Sequence, residues 1–225
     1  MKREFAPALG AMVCAGIVAT AGADVVMDNI GAMDGSNMAG NIGASQHFEA
    51  AYAQYSIGAH DDFTLAADTV LNSVSFVLGG WNGYAGTAGV LGYHVNVHSD
   101  MDSAGVDLIG DVLNMQFASA SASADWTGTG DHMTLDLGGA LLGAGTYHIS
   151  VIPENAFASN GQTGIYTTLT GGDNGHQSNP GGGFGFGPYQ MTGANYAYSL
   201  DGSPIPGPAA LSLLGIAGLC VRRRR

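Results

Sequence analysis

Three groups of side chains have the types and spacing to do chemistry. His94, Asn96 and His98 alternate along the run Val90 to His98, with Leu91, Tyr93, Val95 and Val97 on the opposite face. Same-face neighbours on a strand lie about 6.7 Å apart, from a rise of roughly 3.3 Å per residue, and two histidines flanking a third polar group is a pattern that can hold a transition metal. No cysteine or glutamate reinforces the set within the strand, so the expected role is the solvated face of a half-buried strand, with metal binding as the alternative. Asp100, Asp102, Gly105 and Asp111 stand where the first, third, sixth and twelfth residues of a calcium loop would stand, making Ca2+ a possible ligand. Ala104 occupies a place where an oxygen ligand is usual and Asp111 replaces a long bidentate glutamate, so a plain acidic turn is the expected form. Trp81, Tyr84, Trp126, Phe184, Phe186 and Tyr189 lie in or beside glycine-rich stretches, where flat rings can stack on sugars or, more commonly, close the ends of a core.

Nucleophile and phosphate motifs are lacking. There is no Gly-x-Ser-x-Gly, no His-Glu-x-x-His and no phosphate loop, and past the first 23 residues only Glu49 and Glu154 remain as glutamates. No pair of aspartates stands out as a glycosidase pair, so no catalytic residue is assigned.

Charge is distributed in an unusual way. The six basic residues are Lys2, Arg3 and Arg222 to Arg225, so Asp24 to Val221 holds neither lysine nor arginine. Of the eighteen acidic residues only Glu4 precedes Asp24. Within that long segment an ion pair requires a protonated histidine, and its negative field disfavours nucleic acid and anionic lipid while favouring hydrated cations.

The elements that must position these groups read as strands. Short apolar runs separated by glycine turns, in a chain with 37 glycines, argue for sheet over helix. Val25 to Ile30, Asp61 to Leu65, Val70 to Leu78, Val90 to His98, Val112 to Phe117, His132 to Leu137, Gly145 to Ile152, Ile165 to Thr170 and a stretch within Tyr189 to Leu200 are the expected strands. Ala44 to Tyr55 is ambiguous, because Phe48, Tyr52 and Tyr55 would align on one helical face, and a strand or irregular cover is favoured. Gly79 to Tyr84, Met101 to Gly110, Ala118 to Gly130 and Gly171 to Pro188 are expected as turns and loops. Some nine or ten strands at this spacing predict an all-β, antiparallel β-sandwich of jelly-roll type over residues 24–203.

The two ends read differently from the middle. Lys2 and Arg3, an apolar stretch from Phe5 to Thr20 and the small residues Ala21-Gly22-Ala23 have the layout of a helical secretory signal peptide over residues 1–23, cut before Asp24. Cys14 falls in this segment and Cys220 in the other end, so the sandwich has no thiol and no disulfide. At the C-terminus Pro204, Pro206 and Pro208 precede an apolar run, Ala209 to Val221, and then Arg222, Arg223, Arg224 and Arg225. As a helix those thirteen residues cover only about 20 Å of a hydrocarbon core about 30 Å thick. The arginines would stay on the cytoplasmic side.

This three-part tail, residues 204–225, resembles the PEP-CTERM sorting signal of exported Gram-negative bacterial proteins, with Pro206-Gly207-Pro208 in place of the usual Pro-Glu-Pro. The resemblance implies an exosortase-like protease as processing partner. It also implies transient inner-membrane anchoring through the tail, then release to the cell surface or an exopolysaccharide matrix. The expected function is therefore that of an exported, non-enzymatic surface or matrix protein. A secreted carbohydrate-binding module using Trp81, Tyr84 and Trp126, or a metal-dependent hydrolase using His94 and His98, is the alternative.

Overall fold

The computed structural model describes residues 24–170, 172 and 174–206. Residues 1–23, expected to be a signal peptide, and Gly207, Pro208, the apolar run and the four arginines of the tail lie outside the described residues. Among the described residues no helix is long and apolar enough to cross a membrane.

In chain order the elements are β1 (Asp24–Asp28), β2 (Met38–Ala44), a 3-10 helix (Ala50–Tyr55), β3 (Gly58–Leu65), β4 (Thr69–Trp81), a second 3-10 turn (Thr87–Gly89) and β5 (Val90–His98). Next come α1 (Met101–Val106), β6 (Leu113–Phe117), β7 (Ser121–Ala122), β8 (Asp131–Leu142), β9 (Gly145–Asn155) and α2 (Phe157–Asn160). The chain closes with β10 (Gln162–Thr168), β11 (His176–Ser178), β12 (Tyr189–Met191), β13 (Asn195–Tyr196) and β14 (Tyr198–Pro204). All the named strand pairs are antiparallel, and they form two sheets. One holds β1, β2, β4, β7, β8, β10, β13 and β14; the other runs β12-β11-β3-β9-β5-β6. The all-β expectation holds.

Alternation builds the core. Val74, Phe76 and Leu78 of β4 and Met133, Leu135 and Leu137 of β8 join Phe63, Tyr93, Val95, Val97, Ile149 and Val151 of the second sheet in one buried cluster. Phe76 meets Tyr93 between the sheets at 5.6 Å between ring centroids. Burying each such side chain contributes roughly 1.5–3 kcal/mol, the main favourable contribution in a chain segment without disulfides.

Several local expectations change. Gly79 to Trp81 continue β4, because they pair with Gln162 to Gly164 of β10; the turn begins only at Asn82 and Gly83, with φ of 52° and 97°. Asn-Gly is the dipeptide that tolerates two successive positive φ values. The glycines at 138 and 139 lie in a bulge within β8, opposite Asn72, so β8 runs on to Leu142 and the connection to β9 is only Gly143-Ala144. Leu91 faces solvent rather than the core, because a bulge between Val90 and Gly92 turns it out of the alternation. Ala50–Tyr55 is a 3-10 helix, and Met101–Val106 is a short α-helix rather than a turn. Strands β7 and β11 form in stretches expected as loop, each completed by pairing with a longer neighbour, and β2, outside the expected strands, forms by pairing with β10.

Candidate functional site

The outer face of the six-stranded sheet gathers the histidines. With Ala59, Phe63 and Leu65 of β3 in the core, His60 and Asp62 point away from it; the same alternation turns His148 and Ser150 of β9 and His94, Asn96 and His98 of β5 outward. Register then sets two adjacent rows. His176, His60, Ser150, Asn96 and Asn114 are successive partners across β11, β3, β9, β5 and β6, and Asp62, His148 and His98 form the next row. Four histidines from four strands thus share one patch. The rings of His60 and His98 stand 5.3 Å apart at 70°, and those of His148 and His176 stand 5.9 Å apart at 84°.

A cover closes part of the patch. The Tyr189 hydroxyl donates to Asp102 Oδ1 on α1 at 2.8 Å, and its ring lies 6.0 Å from that of His176. His60 and His98 are fully buried beneath, while His148 and His176 are half-buried at the open edge. His60 Nε2 pairs with Ser178 Oγ at 2.7 Å, and His98 Nδ1 lies 3.3 Å from Ser103 Oγ and 3.7 Å from Asp111 Oδ1. His60 Nδ1, His98 Nε2, His148 Nδ1, His176 Nδ1 and Ser150 Oγ are buried without a hydrogen-bond partner. Burial holds His60 well below the usual imidazole range, with His98, His148 and His176 adding to the effect. Burial likewise lowers His98 and His148.

The set expected on β5 is divided. His94 does not join His98; it stacks on His47 at 5.3 Å and stands 3.7 Å from Glu154 Oε2, beside a cavity of about 140 Å3 shared with Asn96, Leu108 and Asn114. Asn96 Oδ1 accepts from Gly110 N–H at 3.1 Å and Asn114 Nδ2 at 2.6 Å, so it pins the segment after α1. The solvated-face expectation fails for His98, which is fully buried.

The aspartates do not wrap a common point as a calcium loop would. Asp100 caps α1 by accepting from Ser103 N–H at 2.8 Å, and Asp102 accepts from Tyr189. Asp111 takes Ser99 N–H at 2.9 Å, Ser99 Oγ at 2.6 Å and Ser103 Oγ at 3.1 Å. The helix stands where ligand-bearing loop was required. Among the described residues no group of three or more histidine, cysteine, aspartate or glutamate side chains is placed to hold a metal ion as the side chains stand.

The rings that could stack on sugars are largely structural. Tyr84 donates to Asp131 Oδ2 at 3.3 Å and packs on the core, and Trp126 Nε1 donates to Gly130 O at 3.0 Å with its ring against His132. Trp81 ends β4 opposite Gln162. A different group of rings, Phe48, Tyr52, Tyr55, Phe157 and Phe184, lines a hollow of about 220 Å3 with Gln162. Of these, Phe184 stands out in the sequence by its glycine-rich surroundings, and Phe48, Tyr52 and Tyr55 by their helical spacing. His60, His148 and His176 carry no such local signal, although His60 and His148 each occupy the polar side of an alternating strand.

Neither the comparison with protein-family models nor that with curated proteins finds a match for this chain.

Proposed function

We propose that the chain is an exported, non-enzymatic protein of the cell surface or extracellular matrix. In this reading a signal peptide directs it out, the Pro206-Gly207-Pro208 tail hands it to an exosortase-like protease, and a β-sandwich remains outside. The observation that carries the reading is the confinement of every lysine and arginine to the two terminal segments, which leaves residues 24–221 purely acidic. Basic charge at both ends serves membrane targeting and orientation, and its removal releases an anionic domain. Consecutive strands that pass from sheet to sheet, as β3, β4 and β5 do, support a jelly-roll-type connection for that domain.

Intact mass of the protein recovered from its native surface tests the proposal. The expected mass lacks the first 23 residues and the arginine-bearing tail of the 22.8 kDa chain. Full-length protein retained in the cytoplasm would overturn it.

The ring-lined hollow favours a second reading, contact with a glycan, since aromatic faces stack on the apolar faces of sugars. Here the expected ligand surface is Tyr52, Tyr55 and Phe184 rather than Trp81, Tyr84 and Trp126. Glycan-array binding unchanged by Tyr52→Ala and Phe184→Ala would remove it.

A further inference from the structure

We propose that His60, His98, His148 and His176 bind one divalent transition cation of the zinc class, which fastens β3, β5, β9 and β11 to one another. The first argument is the distribution of unpaired atoms. Buried polar atoms nearly always have partners, and of the eight without one among the described residues five lie on this patch, four of them imidazole nitrogens that a bound cation would satisfy. The second is the way the two deepest rings are held. A ligating histidine characteristically gives its other N–H to a hydroxyl, carbonyl or carboxylate, which fixes the tautomer and turns the remaining lone pair toward the metal. His60 is held in this way through Nε2 by Ser178, and His98 through Nδ1 by Ser103 with Asp111 behind it. In both, the nitrogen left over is the unpaired one.

Geometry and charge agree. His60 and His176 are direct cross-strand partners, as are His98 and His148; such pairs place Cβ atoms about 5 Å apart, within reach of one ion at about 2.0–2.1 Å from each nitrogen. The rings now stand edge to face, and no three donors yet converge, so binding turns the side chains of His148 and His176, which sit at the open edge. Asp62 and Asp100 lie near enough to act on His148 electrostatically and offset the charge of a dication. Neutral imidazoles select zinc, copper or nickel over calcium or magnesium, which require oxygen. Residues 24–203 contain no cysteine, lysine or arginine, so neither a disulfide nor a fixed ion pair cross-links this sheet. A metal would supply that link.

The full chain, stripped of metal by chelator, is titrated at neutral pH with Zn2+ and separately with Co2+ as a spectroscopic probe. One equivalent should bind at micromolar affinity or tighter, give cobalt ligand-field bands that Zn2+ abolishes and Ca2+ does not, and raise the melting temperature. His148→Asn and His176→Asn should each weaken binding by about tenfold or more, while His94→Asn and His132→Asn leave it within about twofold. A readout independent of any variant is the histidine ring NMR spectrum, in which Zn2+ should shift four of the seven histidines and spare His47, His94 and His132. Absence of saturable binding overturns the proposal. So does binding that persists in the His148 and His176 variants, or Zn2+ shifts confined to His47 and His94.

Discussion

Ser45 and Tyr198 occupy the same gap between β3 and β9. The two strands pair from Leu65 and Gly145 up to His60 and Ser150, and the next partners in register, Ala59 and Val151, are bridged by side chains instead. The Tyr198 hydroxyl donates to Ala59 O at 2.8 Å and accepts from Val151 N–H at 3.1 Å. Ser45 Oγ donates to Val151 O at 2.7 Å and accepts from Ala59 N–H at 3.4 Å. A residue of the opposite sheet thereby completes the ladder of this one. Tyr198→Phe keeps the ring and strands a buried N–H and a buried C=O, so it should cost about 2–4 kcal/mol in denaturant unfolding. Ser45→Ala should cost about 1–3 kcal/mol, and the double variant less than the sum because both act on one gap. Strict additivity would contradict the shared bridge.

His60 and Asp61 are consecutive on β3, face opposite sides of the sheet and respond to pH in opposite senses. Burial pushes Asp61 up to about 7, against hydrogen bonds from Tyr196 N–H, Asp62 N–H and Asn29 Nδ2. Its contribution to stability is complete below 3.8, the ordinary value, and is lost as pH rises through about 7. His60, buried and neutral, contributes fully above its ordinary 6.5, and that contribution is lost as pH falls below it. His94, His98, His132 and His148 are lowered by burial in the same direction. Each lowered unit is worth roughly 1.4 kcal/mol, so several imidazoles outweigh one carboxyl. The melting temperature of metal-free protein should therefore fall as pH drops from about 7.5 to about 5.5, across the imidazole range. A flat or rising profile would contradict the buried neutral state.

Legibility in the sequence followed the length of each pattern. Val90 to His98 could be read because its alternation spans a whole strand with one face in the core. His176-Gln177-Ser178 could not, because three residues carry no period and β11 exists only through its pairing with β3 and β12. Asp100 as a helix cap with Ser103 is present in the sequence but reads equally as a metal-loop position, and Gly105 lowers the helix propensity of a segment only six residues long. The histidine patch was hidden for a different reason. His60, His98, His148 and His176 meet through the register of four strands, and no local spacing encodes that register.

Glu49 caps a helix that begins 108 residues later. Its carboxylate accepts from Phe157 N–H at 2.8 Å and Ala158 N–H at 3.2 Å, two donors that α2 cannot satisfy itself, and so ties the wall of the aromatic hollow together. Glu49→Ala should cost about 1 kcal/mol, in line with the loss of a helix cap, and Glu49→Gln less. Proteolysis near Phe157 should increase in the alanine variant; an unchanged cleavage rate there would show the cap to be dispensable.

Salt should stabilise this protein through screening. Residues 24–206 carry many carboxylates and no lysine or arginine, so the fixed charges on the sandwich repel one another and nothing but a protonated histidine can pair with them. Two histidine–carboxylate approaches occur among the described residues, both at 3.7 Å, and in each the imidazole is lowered rather than raised, so neither is an ion pair at neutral pH. Self-repulsion of this kind works against the compact state and weakens as the Debye length shortens from about 30 Å at 0.01 M salt to about 8 Å at 0.15 M. With chelator present to exclude bound metal, the melting temperature should rise steadily over that range of NaCl and level off beyond it. Equal ionic strengths of NaCl and KCl should act alike, because the effect is one of screening. A melting temperature that falls with salt would mean that attractive charge pairs dominate, which the composition of residues 24–206 does not allow.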